Sequence, residues 1–149
     1  AISSDASKLI VLGIKSSKGT QQFRMLPESI AKEPLGPAVR GGDEEWLRLV
    51  KWVLFALIEA EEQGVSRMNA RFQFYENADL SVQALLGASN RSGRALGLQD
   101  GWVVQVIEAA GNYGEMFDRN VGRQSRLKLD RGLNRLWTKG GLMYSPPLP

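Results

Sequence analysis

Neither cysteine nor histidine occurs in the 149 residues. The first absence removes disulfide bonds, a thiolate nucleophile and Cys-type zinc sites from this chain. The second removes the commonest general base and the commonest metal ligand. Together they exclude Ser-His-Asp, Cys-His and HExxH chemistry from these residues. They do not decide the compartment, because cytosolic and bacterial periplasmic proteins both tolerate a lack of cysteine. Long apolar runs are scarce as well. The longest, residues 49–58, is interrupted by Lys51 and falls short of the roughly 20 residues that cross a bilayer. The opening Ala1-Ile2-Ser3-Ser4-Asp5 lacks the basic start and apolar stretch of a signal peptide, so none is expected here. Phosphate-binding loops are missing too. No GxGxxG occurs, residues 13–19 lack a Gly-Lys-Ser/Thr ending, and nucleotide hydrolysis is not expected.

What is present has the balance of an ordinary folded domain. Hydrophobic residues make up 43% and charged residues 23%, close to globular averages, and the length suffices for one buried core. The net charge is only +3, although the pI is about 9.4. With no histidine to buffer the middle range, a small basic excess moves the pI far, and a nucleic-acid partner does not follow from it. Basic residues do gather late. Arg119, Arg123, Arg126, Lys128, Arg131, Arg135 and Lys139 face the single acid Asp130. This run reads as a solvated face or a docking surface for an acidic partner, ahead of a phosphate-contacting stripe.

Residues 3–5 offer helix N-caps before residues 6–12, which favours a short helix; residues 9–14 also fit a strand. Residues 23–26 read as a short strand stopped by Pro27. Pro27, Pro34, Gly36, Pro37, Gly41 and Gly42 then argue for extended chain, with an edge strand over 35–40. The clearest element follows. Asp43 is a natural N-cap, Glu44 and Glu45 complement the helix dipole, and Gly64 can end the helix left-handed. Trp46, Val50, Val53, Leu57 and Ala60 recur at helical spacing, while Leu49, Leu54 and Ile58 widen the stripe until the middle is apolar almost all round. Such a helix is buried on several sides.

Residues 65–77, with Phe72, Phe74 and Tyr75 among polar residues, read as an extended arm. A short helix from Asp79 to Leu86, ended by Gly87, and a polar loop over 90–93 come next. Three more helices are expected: 102–110 capped by Asp100 and stopped by Gly111, 113–120 ended near Gly122, and 127–138 started by Ser125. The proline-rich end from Tyr144 is extended.

With histidine missing, acid–base work would fall to carboxylates. Glu44/Glu45 and Glu59/Glu61/Glu62 lie at the two ends of one helix and read as dipole partners plus a solvated end. Glu28, Glu33, Glu115 and Asp118 are isolated in sequence, and no metal-ligand spacing stands out. Asp5, after two serines at a turn into a helix, suits either an N-cap or an acceptor for an ammonium group.

Several blocks in order carry a resemblance: Ser4-Asp5-Ala6-Ser7, Leu26-Pro27-Glu28, Lys32-Glu33-Pro34-Leu35-Gly36-Pro37-Ala38-Val39-Arg40 and Gly42-Asp43-Glu44-Glu45-Trp46. Ala60-Glu61-Glu62-Gln63-Gly64, Gly111-Asn112-Tyr113-Gly114-Glu115, Arg119-Asn120-Val121-Gly122, Arg131-Gly132-Leu133-Asn134, Leu136-Trp137 and Gly140-Gly141-Leu142 continue it. The chain resembles the C-terminal half of the general L-amino acid ABC transporter substrate-binding proteins, of the periplasmic family 3 solute-binding type.

The resemblance implies a helix-rich α/β fold, the later half of a two-lobed type II periplasmic binding protein with a helical C-terminal extension. Residues 1–26 would close the second lobe and 27–33 would be the hinge return. Residues 34–63 would supply the strand and long helix completing the first lobe, and 64–149 the extension. It also implies an L-amino acid ligand, no cofactor, a membrane permease as partner, a periplasmic location, and an N-terminal half of the same protein outside this chain. By the same resemblance Asp5 would pair with the ligand's α-ammonium, with Ser4, Ser7 and Glu28 nearby; the carboxylate clamp would lie elsewhere. Residues 8–14, 16–20 and 71–76 depart from the family pattern. Two rivals remain at this stage: an enzyme of prephenate or arogenate dehydratase type with Glu28 as its acid, and a basic helical nucleic-acid module.

Overall fold

The computed structural model describes residues 1–16, 24–26, 28, 30–31, 33–76, 78–89 and 92–148. Among the described residues seven α-helices follow one another: α1 (Ala6–Ser16), α2 (Glu44–Glu62), α3 (Ala70–Glu76), α4 (Leu80–Leu86), α5 (Ser92–Ala95), α6 (Trp102–Ala110) and α7 (Tyr113–Asn120). Two 3-10 turns, Gly132–Asn134 and Trp137–Lys139, end the series. Among the described residues there is no strand, only an isolated bridge between Leu136 and Met143. No helix described is long and apolar enough to cross a membrane.

Helix α2 forms for the reasons its sequence contains. The Asp43 carboxylate accepts the Trp46 N–H at 3.0 Å, Glu44 and Glu45 occupy the positive end, and Gly64 adopts φ +70° just past the last turn. Its C-terminal half is buried through Ala56, Leu57, Ile58 and Ala60. Its N-terminal half is not: Trp46 and Leu47 are about half exposed.

The core joins that half of α2 to Val65, Val82, Leu85 and Leu86, to Trp102, Val103, Val104 and Ile107 of α6, and to Leu148 near the end. Helix α6 packs on α2, α3 and α4, and its almost wholly apolar sequence suits that central place. Helix α7 packs on α2. It begins with a capping box that the sequence analysis did not single out: the Asn112 side chain accepts the Glu115 N–H while the Glu115 carboxylate accepts the Asn112 N–H, both at 2.9 Å.

Six expectations are corrected. The strand over 35–40 is absent and these residues are exposed apart from half-buried Val39; a strand needs a neighbour to pair with, and none is present among the described residues. Residues 24–26 are likewise irregular, and Phe23 lies outside the described residues. The arm over 65–77 is helix α3 for its second half. Asn69 bonds to Ser66 N and Gly64 O and fixes the turn that starts it, and Ala70 and Phe74, one turn apart, face the core. In the loop over 90–93, Ser92 begins α5; Asn90 and Arg91 lie outside the described residues. Asp100 does not cap α6, which starts from Gly101 at φ +78° with no side-chain cap; Asp100 instead lies 3.8 Å from Arg94. The helix over 127–138 does not form, because Lys128 and Gly132 both hold positive φ, +52° and +48°.

Candidate ligand-binding site

The residues singled out from the sequence as candidate acceptors for an ammonium group sit at and just before the start of α1. Asp5 precedes the helix and its carbonyl accepts the Leu9 N–H at 3.0 Å, the first bond of the helix. Its side chain is only 27% exposed, and one carboxylate oxygen lies 2.8 Å from the Lys8 ammonium. The Glu33 carboxyl, 28 positions away in sequence, comes near enough to Asp5 for the two to shift each other's titration. The bond to Lys8, then the bond to Glu33, holds Asp5 below its ordinary value. Glu33 is pushed up, chiefly by its bond to Asp5 and by the negative charge there. Lys8 is raised by the same contact with Asp5.

This arrangement can bind a primary ammonium group: an ionised carboxylate, with a second carboxyl near it, accepts a short charge-assisted bond. Ser4 and Ser7, expected beside Asp5, flank it and are exposed, and Glu28 is exposed on the following segment. Glu33 and Lys8 were not singled out as ligand neighbours. The spacing of Lys8 three residues after Asp5 was a visible signal. Glu33 offered none, since contact across 28 residues depends on how the chain returns.

A second polar cluster gathers at the far end of α2. The sequence analysis takes Glu59, Glu61 and Glu62 for a solvated end, and the structure corrects this. Glu59 is buried and its carboxylate accepts the Leu148 N–H at 3.2 Å. Both oxygens of Glu61 pair with Arg131 at 3.0 Å, where the two side chains are 13% and 15% exposed. Glu62 accepts the Trp137 indole N–H at 3.1 Å. Three neighbouring carboxylates thus hold three points of the C-terminal segment.

Arg131 also lies over the rings of Tyr113 and Phe117 and donates to the Asn134 carbonyl. Gly114 leaves room for the pair: a Cβ there would stand 2.9 Å from Glu61 Cδ, and the fork would have to shift. The basic run over 119–139 is not one helical face: no helix forms over 127–138, and Arg131 is committed inward to Glu61. Among the described residues no group of three acidic, cysteine or histidine side chains could hold a metal.

No family model matches the chain. Over 147 residues, 99% of the chain, it is 44% identical to YhdW of Escherichia coli (strain K12), named as an amino-acid ABC transporter-binding protein, and spans 43% of that protein. Over 88% of the chain it is 45% identical to the general L-amino acid-binding periplasmic protein AapJ of Rhizobium johnstonii, spanning 39% of it. The chain is a homologue of amino-acid ABC transporter-binding proteins. A solved structure of an ABC transporter periplasmic binding protein from Brucella ovis with glutathione bound gives the same answer, with a TM-score of 0.78 and 45% identity over 83% of this chain and 39% of that one.

The homologue therefore spans about two fifths of the length of the curated relatives it matches. The solved neighbour is a periplasmic binding protein, while the portion of that fold described here is helical. None of the three names is that of an enzyme or a nucleic-acid-binding protein.

Proposed function

We propose that this chain is the C-terminal part of a periplasmic solute-binding protein that captures L-amino acids between two lobes and presents them to the permease of an ABC importer. It is not an enzyme in this reading. Residues 1–26 close the second lobe, 27–33 form the hinge return, 34–63 complete the first lobe, and 64–149 are a helical extension. Asp5 accepts the ligand's α-ammonium, and Ser4, Ser7 and Glu28 line its surroundings. The α-carboxylate clamp is supplied by residues outside this chain.

The observation that carries the reading is the similarity to a transporter-binding protein over 99% of the chain. The geometry at Asp5 supports it, because that carboxylate already takes an ammonium at 2.8 Å. Glutathione, bound by the Brucella ovis relative, keeps a free α-ammonium and α-carboxylate on its γ-glutamyl end. A site that fixes those two groups and leaves room beyond them takes such a ligand as well as free amino acids.

Calorimetric titration of the intact protein with L-amino acids and glutathione tests this. Binding of several L-amino acids is expected, and Asp5→Ala should weaken it about ten- to a hundredfold, the usual cost of a lost charge-assisted bond. The 149-residue chain by itself should bind little. Wild-type affinity in Asp5→Ala would remove Asp5 from the site; no affinity of the intact protein for any amino acid would sink the reading as a whole.

A further inference from the structure

We infer that Lys8 is a built-in competitor for the ligand's ammonium: its side chain makes the contact with Asp5 that the ligand must take over, and swings away when ligand binds. The inference rests on the proposed role of Asp5 and adds to it a residue that tunes affinity.

The chemistry of the two groups is the same. Lys8 presents a primary ammonium, as does an amino acid at its α-carbon, and it lies 2.8 Å from the Asp5 carboxylate. Two ammonium groups beside one carboxylate repel each other, so a ligand that takes the Asp5 oxygen Lys8 now holds competes with Lys8 for it. The structure leaves Lys8 free to move away. The Lys8 side chain is 70% exposed, and its four-carbon stem can rotate into water without disturbing α1, none of whose residues is buried. Asp5 stays at the start of α1 when Lys8 leaves, because its carbonyl accepts the Leu9 N–H at 3.0 Å and so belongs to the helix. An exposed ion pair between residues three apart is weak. The competition is therefore a modest tax on affinity that a ligand held by further contacts overcomes.

The test is a double-mutant cycle on the intact protein, reading the dissociation constant for L-glutamine by calorimetry at low ionic strength. Lys8→Gln should tighten binding about 1.5- to fivefold, the range of an exposed pair. Asp5→Asn should weaken it at least about tenfold, and adding Lys8→Gln to Asp5→Asn should restore nothing. Raising the salt should erase the gain in Lys8→Gln, because screening weakens the wild-type pair as well. Unchanged or weaker binding in Lys8→Gln, with Asp5→Asn still damaging, overturns the competition and leaves Asp5 as the ammonium acceptor. Wild-type affinity in Asp5→Asn overturns both.

Discussion

The first 42 residues and the remainder of the chain obey different rules. Helix α1 carries Leu9, Ile10, Val11, Leu12 and Ile14, yet no residue of it is buried, and Ile30 and Leu35 stand almost fully exposed. From Asp43 onward, helices of comparable hydrophobicity close on one another, with Leu85, Leu86 and Ile107 at 1% exposure or less. Apolar content alone does not bury a segment. The later part brings its own partners, whereas the earlier part would need surface that these 149 residues do not supply. The half-exposed Trp46 and Leu47 at the start of α2 mark the seam between the two regimes.

That contrast is open to a direct break. Ile107→Ala empties a fully buried position between α6 and its neighbours and should cost about 2–5 kcal/mol, which is several degrees in the melting temperature followed by circular dichroism. Ile10→Ala, an equal truncation in α1, should leave the melting temperature of the 149-residue chain unchanged. Equal losses from the two would mean that the two regions share one core.

Next in size is the clamp on α2. Arg131→Ala leaves Glu61 without its bidentate partner in a mostly desolvated place and strips a cation from two aromatic rings. Removing one member of a buried pair costs about 3–5 kcal/mol, and the residual exposure here reduces that to about 2–3 kcal/mol. Arg71 makes the same two-bond fork to Glu108, at 2.7 and 2.6 Å, but with side chains 66% and 32% exposed. Arg71→Ala should therefore change thermal stability far less. If both substitutions cost the same, burial would not be what distinguishes these forks.

Legibility in the sequence followed the same divide between local and distant causes. The cap at Asp43 and the glycine stops at Gly64 and Gly87 were readable, because each depends on residues within one turn. The apolar circumference of α2 announced burial on several sides, and half of it has that. What failed depended on partners far along the chain. Arg131 looked like one more cation in a run of seven, since Glu61 is 70 positions away. The leucines at 129, 133 and 136 kept a helical spacing, but the backbone turns left-handed at Lys128 and Gly132 and spends them on an irregular strap. At the candidate site Asp5 was singled out from its setting, while Glu33 was invisible as its neighbour until the chain had returned.

The smallest expected effect concerns the third glutamate of the clamp, and it sharpens the comparison between a carboxylate that has a cation and one that does not. Burial pushes the Glu59 carboxyl above its ordinary value; the Leu148 N–H bond pulls the other way, and the charge of Glu62 adds to the rise. An acid raised in the folded state favours folding most below its unfolded value, near 4.5, and loses that contribution as the pH climbs through the folded value. At neutral pH the ionised Glu59 is therefore a burden on the fold, unlike Glu61 with Arg131 beside it. Glu59→Gln keeps an oxygen to accept the Leu148 N–H and removes the charge. It should melt slightly higher than the wild type at pH 7, with the gap closing as the pH falls towards 4. Asp79 and Glu108, both held below their ordinary values by their partners, titrate alike in the two proteins and cancel from the difference. A lower melting temperature for Glu59→Gln at pH 7 would mean that the charged carboxylate holds the Leu148 N–H strongly enough to outweigh its burial.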